Sequence, residues 1–200
     1  MACERDGMSD EMIGEALIKE VIEEELKDMP DNFQLPTSLA VDVKSEQEKK
    51  VVTQLAKMIR IVGDKVQDDR AFQDAIDGIA RDPVSKWVRF RQVADKVFEH
   101  GITWERIAVL IYVAGRLAVK MVEIHLPQSV RDIISWTVEF LKNNLLVWIQ
   151  EHGGWINSFP DLAVASIQRM SLMSSPSYNL IFFFIAGLGL GSFITWRLTR

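Results

Sequence analysis

The chain has 200 residues, 48% of them hydrophobic and 26% charged, with a formal net charge of −5. That length allows one domain with a real core, and the acidic balance argues against a nucleic-acid face. The single cysteine, Cys3, excludes an intrachain disulfide and fits a reducing compartment. Charge is uneven along the chain: residues 1–80 hold 10 Lys/Arg against 19 Asp/Glu, a net of −9, and residues 81–200 hold 13 against 9, a net of +4. The basic half is the one suited to an anionic lipid surface. No apolar run follows Met1, so no secretory signal is expected.

The first helical pattern opens at Ser9, with Asp10 and Glu11 favourable in its first turn. Its apolar positions are Ile13, Leu17 and Val21, with Ile18, Ile22, Leu26 and Met29 beside them. Cys3 then falls in a free polar tail, and Glu23-Glu24-Glu25 reads as a solvated face rather than a metal site. Residues 30–44, with Pro30 and Pro36, read as a loop. A capping box, Ser45-x-x-Glu48, starts a second helix that runs to about Gln67. A short third helix covers about 71–80. Asp82-Pro83 supplies an N-cap and a first-turn proline for the fourth, and Gly101 its stop. Thr103 caps the next helix, which ends before Pro127. Another runs from about Gln128 to His152 and is halted by Gly153-Gly154. A turn around 155–159 precedes a last bundle helix from Pro160 to about Arg169. No stretch alternates with period two and nothing repeats, so the chain reads as all-α, with about eight helices in the bundle.

From Met170 to Trp196 there is no charge, a run of 27 residues (196 − 169). A helix over residues 179–196 reaches about 27 Å at ~1.5 Å per residue, close to the ~30 Å hydrocarbon core of a bilayer. Tyr178 and Trp196 stand at its ends, where amphipathic rings favour the interface, and Arg197 and Arg200 suit a headgroup layer. The reading is a bundle over 1–170, a linker over 171–178 and a C-terminal transmembrane tail anchor over 179–196. Leu180, Phe183, Gly187, Gly191, Ile194 and Trp196 carry the anchor; the alternative is a very apolar buried helix. Gly187 and Gly191 have the spacing that brings membrane helices together, although a small-residue face tolerated in lipid is the preferred reading.

Nothing in the sequence suggests an enzyme. His100, His125 and His152 are far apart, no Cys/His spacing suits a metal, and no serine or cysteine sits in a nucleophile motif. No cofactor is implied, and Gly187-Leu-Gly-Leu-Gly191 lies inside the apolar tail with no preceding strand.

Three stretches carry more information. In the second helix Leu55, Ile59, Val62 and Val66 share an arc of roughly 60° at about 100° per residue. Gly63-Asp64 follows the third of these, and a mid-helix glycine costs about 1 kcal/mol relative to alanine, which suggests that another surface comes close. The second stretch is Trp148-Ile-Gln-Glu-His-Gly-Gly-Trp155, where a helix ends at a double glycine and restarts on tryptophan. The third, Phe98 to Arg116, has Trp104 and Arg106 opening a very apolar helix. Together, ahead of a tail anchor, they resemble the Bcl-2 (B-cell lymphoma 2) apoptosis-regulator family. Leu55-Ala-Lys-Met-Ile-Arg-Ile-Val-Gly-Asp64 resembles its third homology motif, Val97–Ala118 its first and Trp148–Trp155 its second. The wording of residues 134–155 is similar to the Bax-like pore-forming branch. Where the family has Asn-Trp-Gly-Arg, this chain has Thr103-Trp104-Glu105-Arg106, so a charge replaces a glycine that lets a partner helix approach.

The resemblance implies a Bcl-2-like bundle around a central apolar hairpin. It also implies a groove holding Trp104, Arg106, Gly153, Gly154 and Trp155, which accepts an amphipathic third-motif helix. Leu55, Ile59, Val62, Gly63, Asp64 and Val66 would be the partner-binding face of such a helix, with Arg106 the partner of the motif aspartate. The implied function is a pro-apoptotic effector that oligomerises and permeabilises the mitochondrial outer membrane. The alternative is a survival-type protein that sequesters third-motif helices without forming pores. Implied partners are further copies of the chain, other Bcl-2 family proteins and membrane lipid. The implied locations are cytoplasm and mitochondrial outer membrane, with the endoplasmic reticulum membrane as another. On this reading Gly63 lies near the surface of the resting bundle, and Gly63→Glu leaves the fold intact.

Overall fold

Fifteen of the 20 residues of helix α5 (Trp104–Glu123) are buried, among them Leu110, Ile111, Tyr112, Val113 and Ala114 in one run. A helix apolar on all sides needs neighbours on all sides. In the computed structural model, which describes residues 3–27, 29, 46–67, 70–81 and 85–167, those neighbours are α1 (Cys3–Lys27), α2 (Glu46–Gln67), α3 (Arg70–Arg81), α4 (Lys86–Val97), α6 (Ser129–Phe140) and α8 (Phe159–Ile167). The fold is all-α, as the lack of period-two patterning implies.

Several element boundaries differ from expectation. Helix α1 starts at Cys3, not at Ser9, so Cys3 belongs to helical backbone and not to a free tail. Helix α4 starts at Lys86, with Ser85 as its N-cap in extended backbone. The Ser85 hydroxyl accepts from the Val88 N–H at 3.3 Å, which supplies the side-chain acceptor expected from Asp82; residues 82–84 lie outside the described set. Thr103 caps α5 as expected, accepting from Arg106 N–H at 3.3 Å.

The expected helix from 128 to 152 is continuous but changes register. After α6, residues Leu141–Leu145 are π-helical, and the Leu146 N–H bonds to the Leu141 carbonyl, five residues back. The wider turn accommodates one extra residue before α7 (Leu146–Glu151) resumes. The Asn144 side-chain amide donates to the Phe140 carbonyl at 3.0 Å, just where the pairing shifts. Lys142, in the same turn, reaches Glu11 of α1 at 2.7 Å.

The double glycine then turns the chain. Gly153 has φ 83° and Gly154 φ 74° with ψ −177°, values that L side chains rarely adopt. A 3₁₀ turn, Trp155–Ser158, follows and leads into α8. That turn is tied to the other end of the chain. The Trp155 N–H donates to Asp10 Oδ1 at 3.2 Å, and the Trp155 indole N–H to the Asp10 carbonyl at 2.8 Å. A Cβ on Gly154 would sit 2.7 Å from Asp10 Oδ1, so glycine is what lets the carboxylate reach the start of the turn. Asp10 therefore caps a helix 145 residues away in sequence.

The expected tail anchor lies outside the described residues, with Leu180, Phe183, Gly187, Gly191, Ile194 and Trp196, as do the 30–44 loop and the Ser45 cap. Among the described residues no helix is long and apolar enough to cross a membrane.

Asp10→Ala removes the acceptor for the Trp155 N–H, and a lost cap of this kind costs about 1–2 kcal/mol. Urea denaturation followed by tryptophan fluorescence should show that loss, with Asp10→Asn retaining part of the stability.

Candidate partner-binding site

The third-motif stripe is part of the core. Leu55, Ile59 and Val62 are buried, on a helix packed against α1, α5 and α8. Asp64 is exposed on the same helix, and the side chain of Val66 lies outside the described set. The face that would enter a partner's groove is thus already occupied within its own bundle, so exchange requires α2 to leave.

Gly63 corrects the sequence reading. It is buried, and a Cβ on it would lie 2.2 Å from both Cγ and Cδ2 of Tyr112. The surface that the mid-helix glycine admits is the tyrosine ring of α5 in the same molecule. Tyr112 is fully buried and stacks on Phe72 of α3, with centroids 5.9 Å apart. Its hydroxyl donates to Gln67 Oε1 at 3.4 Å. Desolvation pushes its phenol far above the usual range, and the nearby Glu25 carboxylate adds to the rise, so the ring stays neutral. Gly63 therefore does not lie near the surface, and a glutamate there would have no room.

The expected groove residues divide. Trp104 and Trp155 come together, with ring centroids 5.7 Å apart, and Trp148 meets Trp104 edge-on at 5.1 Å. Two motifs separated by some fifty residues of chain thus share one aromatic cluster at the start of α5. His152 stacks on Trp148 at 3.9 Å, and its Nδ1 lies 2.7 Å from the Trp148 carbonyl at the end of α7. Gly153 is exposed and Gly154 buried at the turn. Arg106, half-buried, donates from Nη1 to the Gly101 carbonyl at 2.7 Å, which fixes the loop before α5. Glu105 is also half-buried beside it. The third-motif glycine meets α5 at Tyr112, about 12 Å along the helix from Trp104 at ~1.5 Å per residue. Motif face and aromatic cluster therefore occupy different stretches of α5.

Sequence reasoning missed a buried ionic centre. The acidic run Glu23-Glu24-Glu25 suggests a solvated face, yet Glu25 is 4% exposed. Its Oε2 accepts from Arg116 Nη1 of α5 at 3.3 Å, and Arg60 Nε of α2 lies 3.1 Å from its Oε1. The available signal was phase: Glu25 continues the Leu17, Val21 series at steps of four, so it points where those residues point. Glu23 and Glu24 are half-exposed, as expected. Among the described residues no group of three or more His, Cys, Asp or Glu converges on a metal position.

Gly63→Ala should destabilise the bundle by about 1–3 kcal/mol, the usual range for overpacking a core. Tyr112→Ala should cost about 3–5 kcal/mol through its cavity. In the double variant the added methyl enters vacated space, so the combined loss should fall below the sum of the two. Thermal unfolding of the four proteins measures that coupling.

Comparison with known proteins agrees with the residue pattern. Residues 59–155 match the profile of the family described as apoptosis regulator proteins, Bcl-2 family. That interval opens on Ile59 of the third-motif stripe and closes on Trp155. Mouse apoptosis regulator BAX is 29% identical over 143 residues, which is 72% of this chain and 68% of that protein. Rat Bcl-2-like protein 1 is 36% identical over 93 residues, covering 46% of this chain and 40% of that one. Among solved structures, chicken BOK aligns with a TM-score of 0.62 at 23% identity, covering 78% of this chain and 98% of that one. The Trichoplax adhaerens protein trBcl-2L2, solved with a trBak BH3 bound, aligns at 0.59 and 23% identity, covering 78% and 97%. With the third-motif helix, the α5 axis and the glycine–tryptophan turn placed in one bundle, the chain belongs to the Bcl-2 family of apoptosis regulators and is Bax-like in sequence.

Proposed function

We propose that this protein is a pro-apoptotic, Bax-like effector that oligomerises on activation and permeabilises the mitochondrial outer membrane. The observation that carries the reading is the similarity to BAX, which extends over 143 residues. The character of α5 supports it. Its longest uncharged run, Ile107 to Gly115, is nine residues, well short of the ~20 needed to span a bilayer. Helix α6 is broken by Arg131, Asp132 and Glu139, and Lys142 follows in the π turn. Released from the bundle, such a hairpin lies in the membrane interface and stresses it. Opening follows from the packing: α2 must leave before Leu55, Ile59 and Val62 can enter the groove of another copy.

A survival-type role is the second reading, because the match to Bcl-2-like protein 1 is higher in identity over its shorter span. On that reading the groove holds third-motif helices of other family members and no pore forms; trBcl-2L2 is likewise bound to a trBak BH3.

Dye-loaded liposomes of mitochondrial lipid composition separate the two. An effector releases dye when a third-motif peptide is added, together with crosslinkable oligomers. A protein that binds the peptide and releases nothing is the survival type.

The proposed anchor, with Leu180, Phe183, Gly187, Gly191, Ile194 and Trp196, has its own test. Deleting residues 178–200 should leave a helical protein that no longer stays with mitochondrial membranes after a carbonate wash. Retention of the truncated protein would overturn the anchor.

A further inference from the structure

Helices α1, α2 and α5 meet at one carboxylate. Glu25 fits there because α5 has Gly115 opposite: a Cβ at that position would lie 2.9 Å from Glu25 Cγ. Only one of its oxygens is well satisfied. Oε2 takes the 3.3 Å hydrogen bond from Arg116, whereas Oε1, although 3.1 Å from Arg60 Nε, has no aligned hydrogen bond among the described residues.

The surrounding charge offsets that cost only in part: Arg60 and Arg116 favour the carboxylate and Asp64 opposes it. Facing it are Glu24 on α1, Arg60 and Asp64 on α2, and Tyr112 and Arg116 on α5. Two cations therefore meet three carboxylates. Arg60 is shared, since it also lies 3.6 Å from Glu24. The side chains of Arg60 and Arg116 keep 29% and 23% exposure, against 4% for Glu25. The carboxylate has lost its water while its partners have kept part of theirs. A buried charge with partly screened partners recovers less than its desolvation costs.

We propose that Glu25 is a release element built into the seam between α1 and the α2–α5 face: buried, charged and half hydrogen-bonded, it weakens the resting contact and regains full hydration when α1 departs. The seam itself is held by Leu17, Ile18, Val21 and Ile22, all fully buried. Glu25 opposes them and so sets how readily the helix lets go.

Titration agrees in sign. Desolvation raises the Glu25 carboxyl above the usual range. The Arg116 hydrogen bond and the charges of Arg60 and Arg116 oppose that rise, and Asp64 adds to it. A group with a raised native value binds its proton more tightly folded than unfolded. The stability that Glu25 contributes is thus present when it is protonated and declines as pH climbs through its raised value. Ionised, it is the weak point.

The device concerns the resting bundle alone, so its test is independent of whether the protein forms pores. Denaturant unfolding and hydrogen exchange of residues 21–27 are measured on the full chain, as wild type and Glu25→Gln, from pH 7.5 down to 5. The amide should raise the unfolding midpoint at pH 7.5 and slow exchange across 21–27, and its advantage should shrink as pH falls. In the wild type alone, exchange in that segment, corrected for its intrinsic pH dependence, should slow on acidification. A Glu25→Gln protein that unfolds earlier, or fails to fold, would show that the ionised carboxylate holds the seam together. An unchanged midpoint, or wild-type exchange in 21–27 that does not slow on acidification, would also overturn the proposal.

Discussion

Burial of α5 on every side is the constraint from which the rest of the structure follows. Nine consecutive buried residues, Ile107 to Gly115, leave no face for water over the middle of the helix, so every neighbour there must come close. Closeness is limited by the largest side chain in the seam, which is Tyr112. The ring fits because α2 presents Gly63 rather than a Cβ. Once α2 is seated there, Leu55, Ile59 and Val62 complete the core beneath it, at roughly 1.5–3 kcal/mol for each large side chain fully buried. The residues that would recognise a partner are then the same residues that hold the resting fold. Recognition and stability compete for one face.

That competition explains which parts of the site were legible in the sequence. The stripe was readable because periodicity reports burial, and it does so whether the covering surface is the same molecule or another. The glycine was readable as a close approach for the same reason. What approaches it was not, because Tyr112 lies 49 residues further along (112 − 63) and nothing local links the two. Helix caps fared better where a single residue decides them. Thr103 acts as expected, whereas the helix expected to be capped by Asp82 is capped by Ser85, three residues later. The π turn at Leu141–Leu145 has no sequence signature of its own kind; its Asn143-Asn144 pair is weak in helix propensity but equally compatible with ordinary helix.

Long-range polar contacts were the hardest to foresee. Asp10 looked like a favourable acid in the first turn of α1, a role set by the helix dipole. Its observed work is at the other end of the chain, where it takes the Trp155 N–H beside a glycine. Glu25 looked like one of three solvated acids, and two of them behave that way. Its phase with Leu17 and Val21 was the contrary evidence, outweighed by the run of like charges around it. In both cases the local reading was sound chemistry, and tertiary placement gave the side chain a second partner.

The α1 seam now has a physical description. Four fully buried aliphatic residues draw α1 onto the bundle, while one carboxylate in the same seam is kept from water by that very contact. Apolar attraction scales with area and is insensitive to charge state, but the opposing term exists only while Glu25 is ionised. The two therefore respond to different conditions, and a seam built from both can be tuned without altering its shape. Helix α2 is set differently, because Gly63 and Tyr112 make its contact steric and close to all-or-none. Loss of α1 removes apolar cover from α2 and α5 at once and exposes the Arg60 and Arg116 guanidinium groups that Glu25 had partly occupied. Departure of α1 relieves the buried charge of Glu25 and leaves the Gly63–Tyr112 contact of α2 in place.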